Sequence, residues 1–302
     1  MEPEFSSLEK SKFVVVPVAF EKTTSYRKGT YWGPKKFLEA SKQLEFYDEE
    51  LNQETVFTAG VATLPILVPN PKESTEAFFK KITATIDELL AMGKFVITVG
   101  GEHTLTFAPV ASYVKRYPNL TILHFDAHAD LRQSYEDTVW SHACALRRSM
   151  DVAKKAVLVG VRSLDRTEVD WIEANKNRVT VFLAQDCQNM DKILPSIIER
   201  LGPEVYITVD VDGFDLGPMP GVGTPQPGGI SWYGGLKLFH EVFKQRKVLG
   251  FDVLELAPIK GEVVSEFTAA KLAYRLMGYA DKYLFTAPKQ NQRSKTMAPL
   301  SS

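Results

Sequence analysis

The feature that most constrains this chain is the regular alternation of short apolar runs, rich in β-branched residues, with amphipathic stretches of helical length. The runs are almost continuously apolar, as expected of strands whose two faces are both covered by helices. Such alternation favours parallel strands joined by helical crossovers. The predicted fold is therefore α/β, a three-layer αβα sandwich around a mostly parallel sheet.

The apolar runs and the amphipathic stretches define seven strands and seven helices. The predicted strands cover residues 13–18, 95–99, 120–125, 156–161, 179–183, 205–211 and 248–254. The predicted helices cover residues 34–49, 75–92, 105–116, 166–175, 190–201, 232–244 and 266–280. No internal repeat or linker divides the chain, so we expect residues 1–286 to form a single domain. Residues 287–302 are polar and interrupted by proline, which predicts a flexible C-terminal tail.

Charge and composition exclude several functional classes. Lys and Arg total 36 against 37 Asp and Glu, and this net charge of −1 provides no general attraction for nucleic acid or anionic membranes. No apolar stretch approaches the ~20 residues that span a bilayer, and the acidic, polar first residues do not resemble a secretory signal. The two cysteines, Cys144 and Cys187, suit a reducing compartment. We expect a cytoplasmic protein without nucleic-acid or membrane partners.

Acidic and histidine side chains interrupt the apolar pattern at the carboxyl ends of four predicted strands. His103 and Glu255 each follow a strand, while the segments 126–130 (DAHAD) and 210–212 (DVD) close two others. In an open parallel sheet, ligands bind outside the carboxyl ends of the strands. We therefore expect these four segments to meet in one site at one edge of the sheet.

Six of these side chains are candidate metal ligands: His103, Asp126, His128, Asp130, Asp210 and Asp212. A single Asp-x-Asp is common in turns and caps, so the prediction depends on the conjunction of the clusters. One metal ion that must also bind substrate rarely needs six protein ligands, whereas two metal ions that share bridging carboxylates do. Four carboxylates also balance the charge of two divalent ions. Oxygen-rich ligation with some imidazole and no thiolate favours Mn²⁺ over Co²⁺, Fe²⁺ or Zn²⁺. His124 is set aside as a supporting or core histidine.

These motifs resemble those of the ureohydrolase family of arginases and agmatinases, and the bacterial agmatinase branch in particular. The matching segments are GGEHT at 100–104, HFDAHADL at 124–131, SHAC at 141–144, DVDGFD at 210–215, GTPQPGG at 223–229 and GFDVLELAP at 250–258. The resemblance extends over about residues 14–279 and is more specific for the superfamily than for the substrate. It implies an arginase-like αβα sandwich with a parallel eight-stranded sheet, two manganese ions per subunit and a homo-oligomer, either a trimer or a hexamer.

The resemblance also implies a role for each ligand. It places His103 and Asp130 on one ion, His128 and Asp212 on the other, and Asp126 and Asp210 on both. The implied reaction is cleavage of a guanidino group to urea and an amine by attack of a metal-bridging hydroxide.

The catalytic residues that the resemblance implies are His142, Asp130 and Glu255. His142 matches a mobile-loop histidine that acts as proton shuttle and general acid, a role that suits a side chain titrating near neutral pH. Glu255 matches the carboxylate that pairs with the guanidinium, and Thr224 resembles the hydroxyl residue that supports it. Glu255, Thr224 and His142 are thus the expected substrate-binding residues.

The substrate is predicted from two loops. Residues 131–140 (LRQSYEDTVW) lack the asparagine-bearing arginase pattern and carry acids and aromatic rings, which suit a cationic or alkyl amine tail. Residues 21–33 look agmatinase-like and are expected near the mouth of the site. These features predict agmatine as the substrate, with putrescine and urea as the products of a step in polyamine biosynthesis.

Several alternatives stay open from the sequence. N1-aminopropylagmatine would need one more acidic contact, which Glu136 or Asp137 could provide. Guanidinobutyrate and arginine are further candidate substrates. A non-enzymatic sensor of guanidino compounds or polyamines would be expected to lack a ligand or the proton shuttle, and this chain retains all of them.

Overall fold

The computed structural model describes residues 3–285, so the tail predicted at 287–302 lies outside the described residues. Within this range, eight strands form one sheet in which every neighbouring pair is parallel. The strands are β1 Phe13–Val18, β2 Val61–Thr63, β3 Phe95–Gly100, β4 Thr121–Phe125, β5 Lys155–Val161, β6 Val179–Leu183, β7 Glu204–Asp210 and β8 Lys247–Leu254. Their spatial order is β2-β1-β3-β8-β7-β4-β5-β6. The predicted α/β class is confirmed.

Helices cover both faces of this sheet. They are α1 Pro3–Ser6, α2 Gly33–Ser41, α3 Thr55–Ala59, α4 Thr75–Ala91, α5 Phe107–Val114, α6 Ala145–Ser149, α7 Arg166–Ala174, α8 Met190–Arg200, α9 Trp232–Gln245 and α10 Val264–Ala280. Helices α2, α8, α9 and α10 pack on one face, and α4, α5, α6 and α7 on the other. None of the helices in the described part of the chain is both long enough and apolar enough to cross a bilayer.

The apolar runs are continuous because each strand contributes to two cores. Along β1, Phe13 and Val15 pack into the core beneath α10, whereas Val14 and Val16 pack into the core beneath α4. Successive side chains of a strand point to opposite faces, so both sets must be apolar when both faces are covered. The pattern seen in the sequence is therefore the signature of the three-layer architecture.

Several elements differ from the sequence prediction, which did not include the short helices α1, α3 and α6. The helix predicted at 34–49 ends at Ser41, and the chain then turns at Asp48, whose Oδ1 accepts hydrogen bonds from the backbone N–H groups of Glu50 and Leu51. Side chain to backbone bonds of this kind compete with helix formation. The edge strand β2 has only three residues, which is too short for a periodic pattern to reveal.

The strand order determines where the functional segments lie. Strands β3, β8, β7 and β4 are consecutive neighbours in the middle of the sheet. The four acidic and histidine segments predicted to form a site follow the carboxyl ends of these four strands. They consequently lie side by side at the same edge of the sheet.

Candidate active site

The first half of the predicted metal cluster is built around His103, in the 3₁₀ turn that follows β3. The His103 Nδ1 lies 2.9 Å from Asp130 Oδ2, 3.0 Å from Asp126 Oδ2 and 3.4 Å from Asp210 Oδ2. All four side chains are buried. Three carboxylates from two strand ends thus converge on one imidazole nitrogen.

The second half is built around His128. The His128 Nδ1 lies 3.1 Å from Asp212 Oδ2 and 3.5 Å from Asp126 Oδ1. Asp126 therefore turns one carboxylate oxygen toward His103 and the other toward His128. Asp126 is therefore shared by the two halves of the cluster, and its role as a bridging ligand stays a prediction.

Unsatisfied polar atoms test whether this cluster fits metal ions. Among the described residues, neither the buried His103 Nδ1 nor the buried Asp126 Oδ2 makes a hydrogen bond, although the two atoms are close. Buried polar atoms almost always have a partner, and these two face the same small volume. His103, His124, Asp126 and Asp130 each offer a ligand atom within 4.8 Å of the others, and Asp126, His128 and Asp212 form a second such group. The predicted ligand Asp210 belongs to neither group, although its Oδ2 faces His103 Nδ1. The donor atoms fit metal cations at both positions.

The charges of the cluster support the same interpretation. Burial opposes the charged form of His128, but the carboxylates of Asp212 and Asp126 outweigh it and raise its pKa to about 12. Burial, followed by repulsion from Asp212 and Asp126, raises the pKa of Asp210 well above its usual range. Clustered carboxylates of this kind require compensating positive charge, which divalent cations supply. The chain thus has a buried metal-binding cluster of the kind found in metal-dependent enzymes.

His124 also lies in the cluster, although sequence analysis set it aside as a ligand. Its Nε2 is 3.0 Å from Asp126 Oδ2 and 3.2 Å from the carbonyl oxygen of His128. Its ring stacks on that of His103, with centroids 4.9 Å apart. Because Nε2 faces two oxygen acceptors, it suits a donor that orients Asp126, which agrees with the supporting role expected from the sequence.

Two of the predicted site residues have strained backbone conformations. Asp130 and Glu255 have φ values of 52° and 64°, and they are among only five non-glycine residues in 3–285 with positive φ. Such conformations cost of order 1–3 kcal/mol each and persist only where the surrounding structure imposes them. Here the backbone N–H of Glu255 donates to the Gly101 carbonyl, and its Oε1 accepts the N–H of His103 at 2.6 Å.

Glu102 and Glu255 are neighbouring buried carboxylates. Burial, followed by repulsion from Glu102, raises the pKa of Glu255 well above its usual range, so this carboxylate is poised to gain from a cation. Burial raises the pKa of Glu102 to about 7, although the N–H groups of Thr23 and Lys22 donate to its Oε2. Through these two bonds, Glu102 anchors the 21–33 loop to the carboxyl end of β3. Sequence analysis did not predict this anchoring role.

The anchored loop contacts His142, as expected from the sequence for a loop near the site. The backbone N–H of His142 donates to Thr23 Oγ1 at 2.9 Å, and its Nε2 lies 3.2 Å from Ser25 Oγ. Burial lowers the pKa of His142, an effect that the charge of Asp130 partly opposes. The neutral imidazole therefore predominates near neutral pH.

An open cleft of about 220 Å³ leads to the cluster, and His128, Asp130, His142 and Thr224 contribute to its wall. Thr224 Oγ1 also donates to Asp212 Oδ2 at 3.3 Å. The rest of the wall is formed by Ser25, Arg132, Tyr135, Ala143, Ser163, Leu164, Asp165 and Glu168. A larger surface groove of about 770 Å³ beside α2 contains none of the predicted site residues.

The cleft wall bears on the expected contact for a second ammonium. Glu136 and Asp137, which were the sequence candidates, do not contribute to the wall. Of the two acidic side chains in the wall outside the metal cluster, Glu168 is buried, whereas Asp165 is partly exposed and its Oδ2 lies 3.5 Å from a guanidinium nitrogen of Arg132. This carboxylate is 31% exposed, so it can reach a ligand in the cleft.

Comparison with known proteins gives consistent matches over nearly the whole described chain. The model of the Arginase family matches residues 11–278. An N(1)-aminopropylagmatine ureohydrolase from Synechocystis sp. is 40% identical over 279 residues, covering 91% of this chain and 90% of that protein. A relative of the same name from Thermus thermophilus is 34% identical over 270 residues, covering 89% and 90%. The crystal structure of agmatine ureohydrolase of Thermoplasma volcanium has a TM-score of 0.81 and 26% identity, covering 92% of both chains.

Proposed function

Because the chain belongs to the arginase family and is a hydrolase of guanidino C–N bonds, we propose that it releases urea from a guanidino compound with a cationic tail. N1-aminopropylagmatine is the substrate that we favour. The observation that carries this choice is the 40% identity, over nine tenths of both chains, to a protein of that activity. Agmatine, predicted from the sequence, is the second candidate, supported by the likeness to the agmatine ureohydrolase structure.

The metal ligands divide into two overlapping sets in this proposal. His103 and Asp130 would hold one ion, His128 and Asp212 would hold the other, and Asp126 and Asp210 would serve both. When bound, two divalent ions lower the pKa of a water molecule and so supply hydroxide at neutral pH. We propose Mn²⁺, two per subunit, because the ligands are mainly carboxylate oxygens with two imidazoles and no thiolate.

Glu255 recognises the guanidinium in this proposal. Its buried carboxylate has a backbone N–H on one oxygen but no cationic side chain in an ion pair with it among the described residues. A planar guanidinium can supply the missing charge through paired, charge-assisted hydrogen bonds. The Thr224 hydroxyl, in the same cleft as His142, supports the substrate beside Asp212.

His142 moves the proton. Neutral at working pH, its imidazole can accept a proton in the cleft and deliver it to the amine nitrogen that leaves when the tetrahedral intermediate collapses. Ser25 and Thr23 hold the side chain and its backbone in place. Asp130, which also lines the cleft, lies close enough to influence the charge of this imidazole.

Replacing His142 by alanine is expected to lower kcat by about 10²–10⁴-fold, the usual contribution of general acid–base catalysis. Metal content should stay at the wild-type value. Among the described residues, His142 is hydrogen-bonded to Thr23 and Ser25 and to none of the proposed metal ligands. The measurement is steady-state urea release together with metal analysis by mass spectrometry. His240→Ala is the matched control, since His240 lies in α9 and contacts Tyr283 instead. Full activity of His142→Ala would remove His142 from the reaction.

The proposed function is tested by urea release from Mn²⁺-loaded protein with N1-aminopropylagmatine, agmatine, arginine and guanidinobutyrate compared side by side. We expect the highest kcat/KM with N1-aminopropylagmatine. A preference for agmatine would overturn the favoured substrate but leave the reaction. A preference for arginine or guanidinobutyrate would contradict the proposal that the substrate has a cationic tail. Binding of these compounds without any turnover would instead support a sensor.

Four broader expectations extend this proposal. We propose that residues 1–286 form one catalytic domain and that the protein is a cytoplasmic trimer or hexamer in polyamine biosynthesis. Family resemblance supports the assembly, and the net charge of −1 supports an enzyme without nucleic-acid or membrane partners. Light scattering of the purified chain tests the oligomeric state, and cell fractionation tests the location.

A further inference from the structure

A row of polar side chains crosses the sheet beneath the metal cluster. In register, Thr98 of β3 lies beside Asp252 of β8, Asp252 beside Thr208 of β7, and Thr208 beside His124 of β4. All four residues are almost completely buried. Residues in one register row point to the same face of a sheet, so this row forms a polar layer between apolar neighbours. Burying polar groups is costly, and these positions call for a reason.

Asp252 is the acceptor at the centre of a continuous hydrogen-bond chain. Its Oδ2 accepts from the Tyr206 hydroxyl at 2.9 Å and from the Thr106 hydroxyl at 3.1 Å, and its Oδ1 accepts from the Val209 N–H at 3.3 Å. The Thr106 and Thr208 hydroxyl oxygens are 2.9 Å apart.

The chain ends at His103. The Thr208 Oγ1 lies 2.8 Å from His103 Nε2, the ring nitrogen that faces away from the carboxylates of the cluster. Asp252 and His103 are therefore connected through two buried hydroxyl groups without direct contact.

The direction of each bond in this chain follows from the number of protons available. Both oxygens of the Asp252 carboxylate accept hydrogen bonds, and each threonine hydroxyl has one proton to donate. Thr106 donates its proton to Asp252, so Thr208 must donate to Thr106. Because Thr208 donates its only hydroxyl proton to Thr106, the Thr208 oxygen can only accept a hydrogen bond from His103. The Nε2 atom of His103 must consequently carry a proton, so Nδ1 is the ring nitrogen that remains to bind a cation.

The geometry points to Asp252 as a positioning residue, which acts through Thr106 and Thr208 to hold His103 in the tautomer whose Nδ1 can bind a cation. This inference rests on the proposed metal site and deepens it. The His103 Nδ1 faces three carboxylates and makes no hydrogen bond among the described residues, so it is the ring nitrogen placed to bind a cation. Hydrogen bonds to the second nitrogen of a ligating histidine orient the ring, and their loss typically costs 10–100-fold in metal affinity.

Burial raises the pKa of Asp252, whereas the hydroxyl groups that donate to it favour its charged form. Burial and the charge of Asp252 raise the pKa of Tyr206 well above its usual range, so this phenol stays a donor.

The first test reads the protonation of His103 in the wild-type full chain. The protein is loaded with Zn²⁺, which is diamagnetic, and its histidine side chains are labelled with ¹⁵N. Five histidines keep the long-range ¹H–¹⁵N correlation spectrum assignable. We expect His103 to bind metal through Nδ1 and to carry an exchange-protected proton on Nε2. Metal binding through Nε2, or an unprotected proton there, would overturn the inference.

The second test measures affinity without turnover. Mn²⁺ is titrated into metal-stripped protein, and the EPR signal of free Mn²⁺ reports what remains unbound. Thr208→Val should weaken binding by about 10–100-fold, whereas Thr208→Ser, which keeps the hydroxyl, should bind as wild type. Thr98→Val is the matched control, because Thr98 occupies the same buried row and its hydroxyl has no hydrogen-bond partner in 3–285.

Asp252→Asn tests whether the Asp252 carboxylate sets the direction of the hydrogen bonds that lead to His103. Asparagine keeps the shape but can donate as well as accept, so the direction of the bonds is no longer imposed. We expect a loss of affinity like that of Thr208→Val and faster exchange of the His103 Nε2 proton. Wild-type affinity in either variant, or an equal loss in Thr98→Val, would overturn the inference. If the Mn²⁺ affinities of the variants are as expected but the wild-type protein releases no urea, only the proposed function is overturned.

Discussion

Asp126→Ala is expected to abolish measurable urea release and to lower bound metal below two ions per chain. Asp126 presents one oxygen to each half of the cluster, at 3.0 Å from His103 Nδ1 and 3.5 Å from His128 Nδ1. Removing this side chain therefore disturbs both positions at once. Metal ions contribute several kcal/mol of transition-state stabilisation in hydrolases, so we expect a loss of at least about 10³-fold in kcat.

This prediction is checked by metal analysis and urea release on the same preparation. Asp151→Ala is the matched control, since Asp151 is a half-exposed aspartate that pairs with Arg148 and is not one of the proposed metal ligands. The control should retain wild-type metal content and rate. An Asp126→Ala protein that holds two ions would contradict the bridging assignment.

Glu255→Gln is expected to lower kcat/KM by about 10²–10³-fold, the usual cost of losing one preorganised electrostatic contact to the reacting group. Glutamine can still accept the His103 N–H that Glu255 Oε1 accepts at 2.6 Å, so the local structure should persist. What the variant lacks is the negative charge opposite the guanidinium. Metal content should therefore equal that of wild type.

The informative comparison for Glu255 is between kinetics and metal content. Glu173→Gln on the exposed surface of α7 is the matched control for the loss of one carboxylate. A normal kcat/KM in Glu255→Gln would mean that this carboxylate does not recognise the substrate. A parallel loss of metal would instead assign Glu255 to the support of His103.

Much of the fold could be predicted because its determinants are local. Seven of the eight strands coincide with apolar runs, and two of them, Phe13–Val18 and Val179–Leu183, have the predicted boundaries. The exceptions depend on interactions between distant segments. The three-residue strand β2 forms by pairing with β1, and Tyr274 of α10 donates to the Phe46 carbonyl in a segment that was expected to be helical.

The candidate site was predictable in its ligands but not in their support. His103, Asp126 and their partners are recognisable because charged residues at the ends of apolar strands are unusual. Asp252 carried a similar signal, as an aspartate inside an apolar run, but nothing local connects it with Thr208 and His103. Glu102 stood beside His103 in the sequence, yet its bonds to Thr23 and Lys22 join segments about 80 residues apart.

The sequence by itself determined the layers of the fold, the residue types of the metal cluster and their position at strand ends. These properties follow from periodicity and charge, which are local. Only the tertiary structure decided that β3, β8, β7 and β4 are neighbours, and that Asp126 faces two imidazoles. It also decided that Asp165, and not Glu136 or Asp137, lines the cleft. Strand order and register arise from pairing between remote segments, so no local pattern contains them.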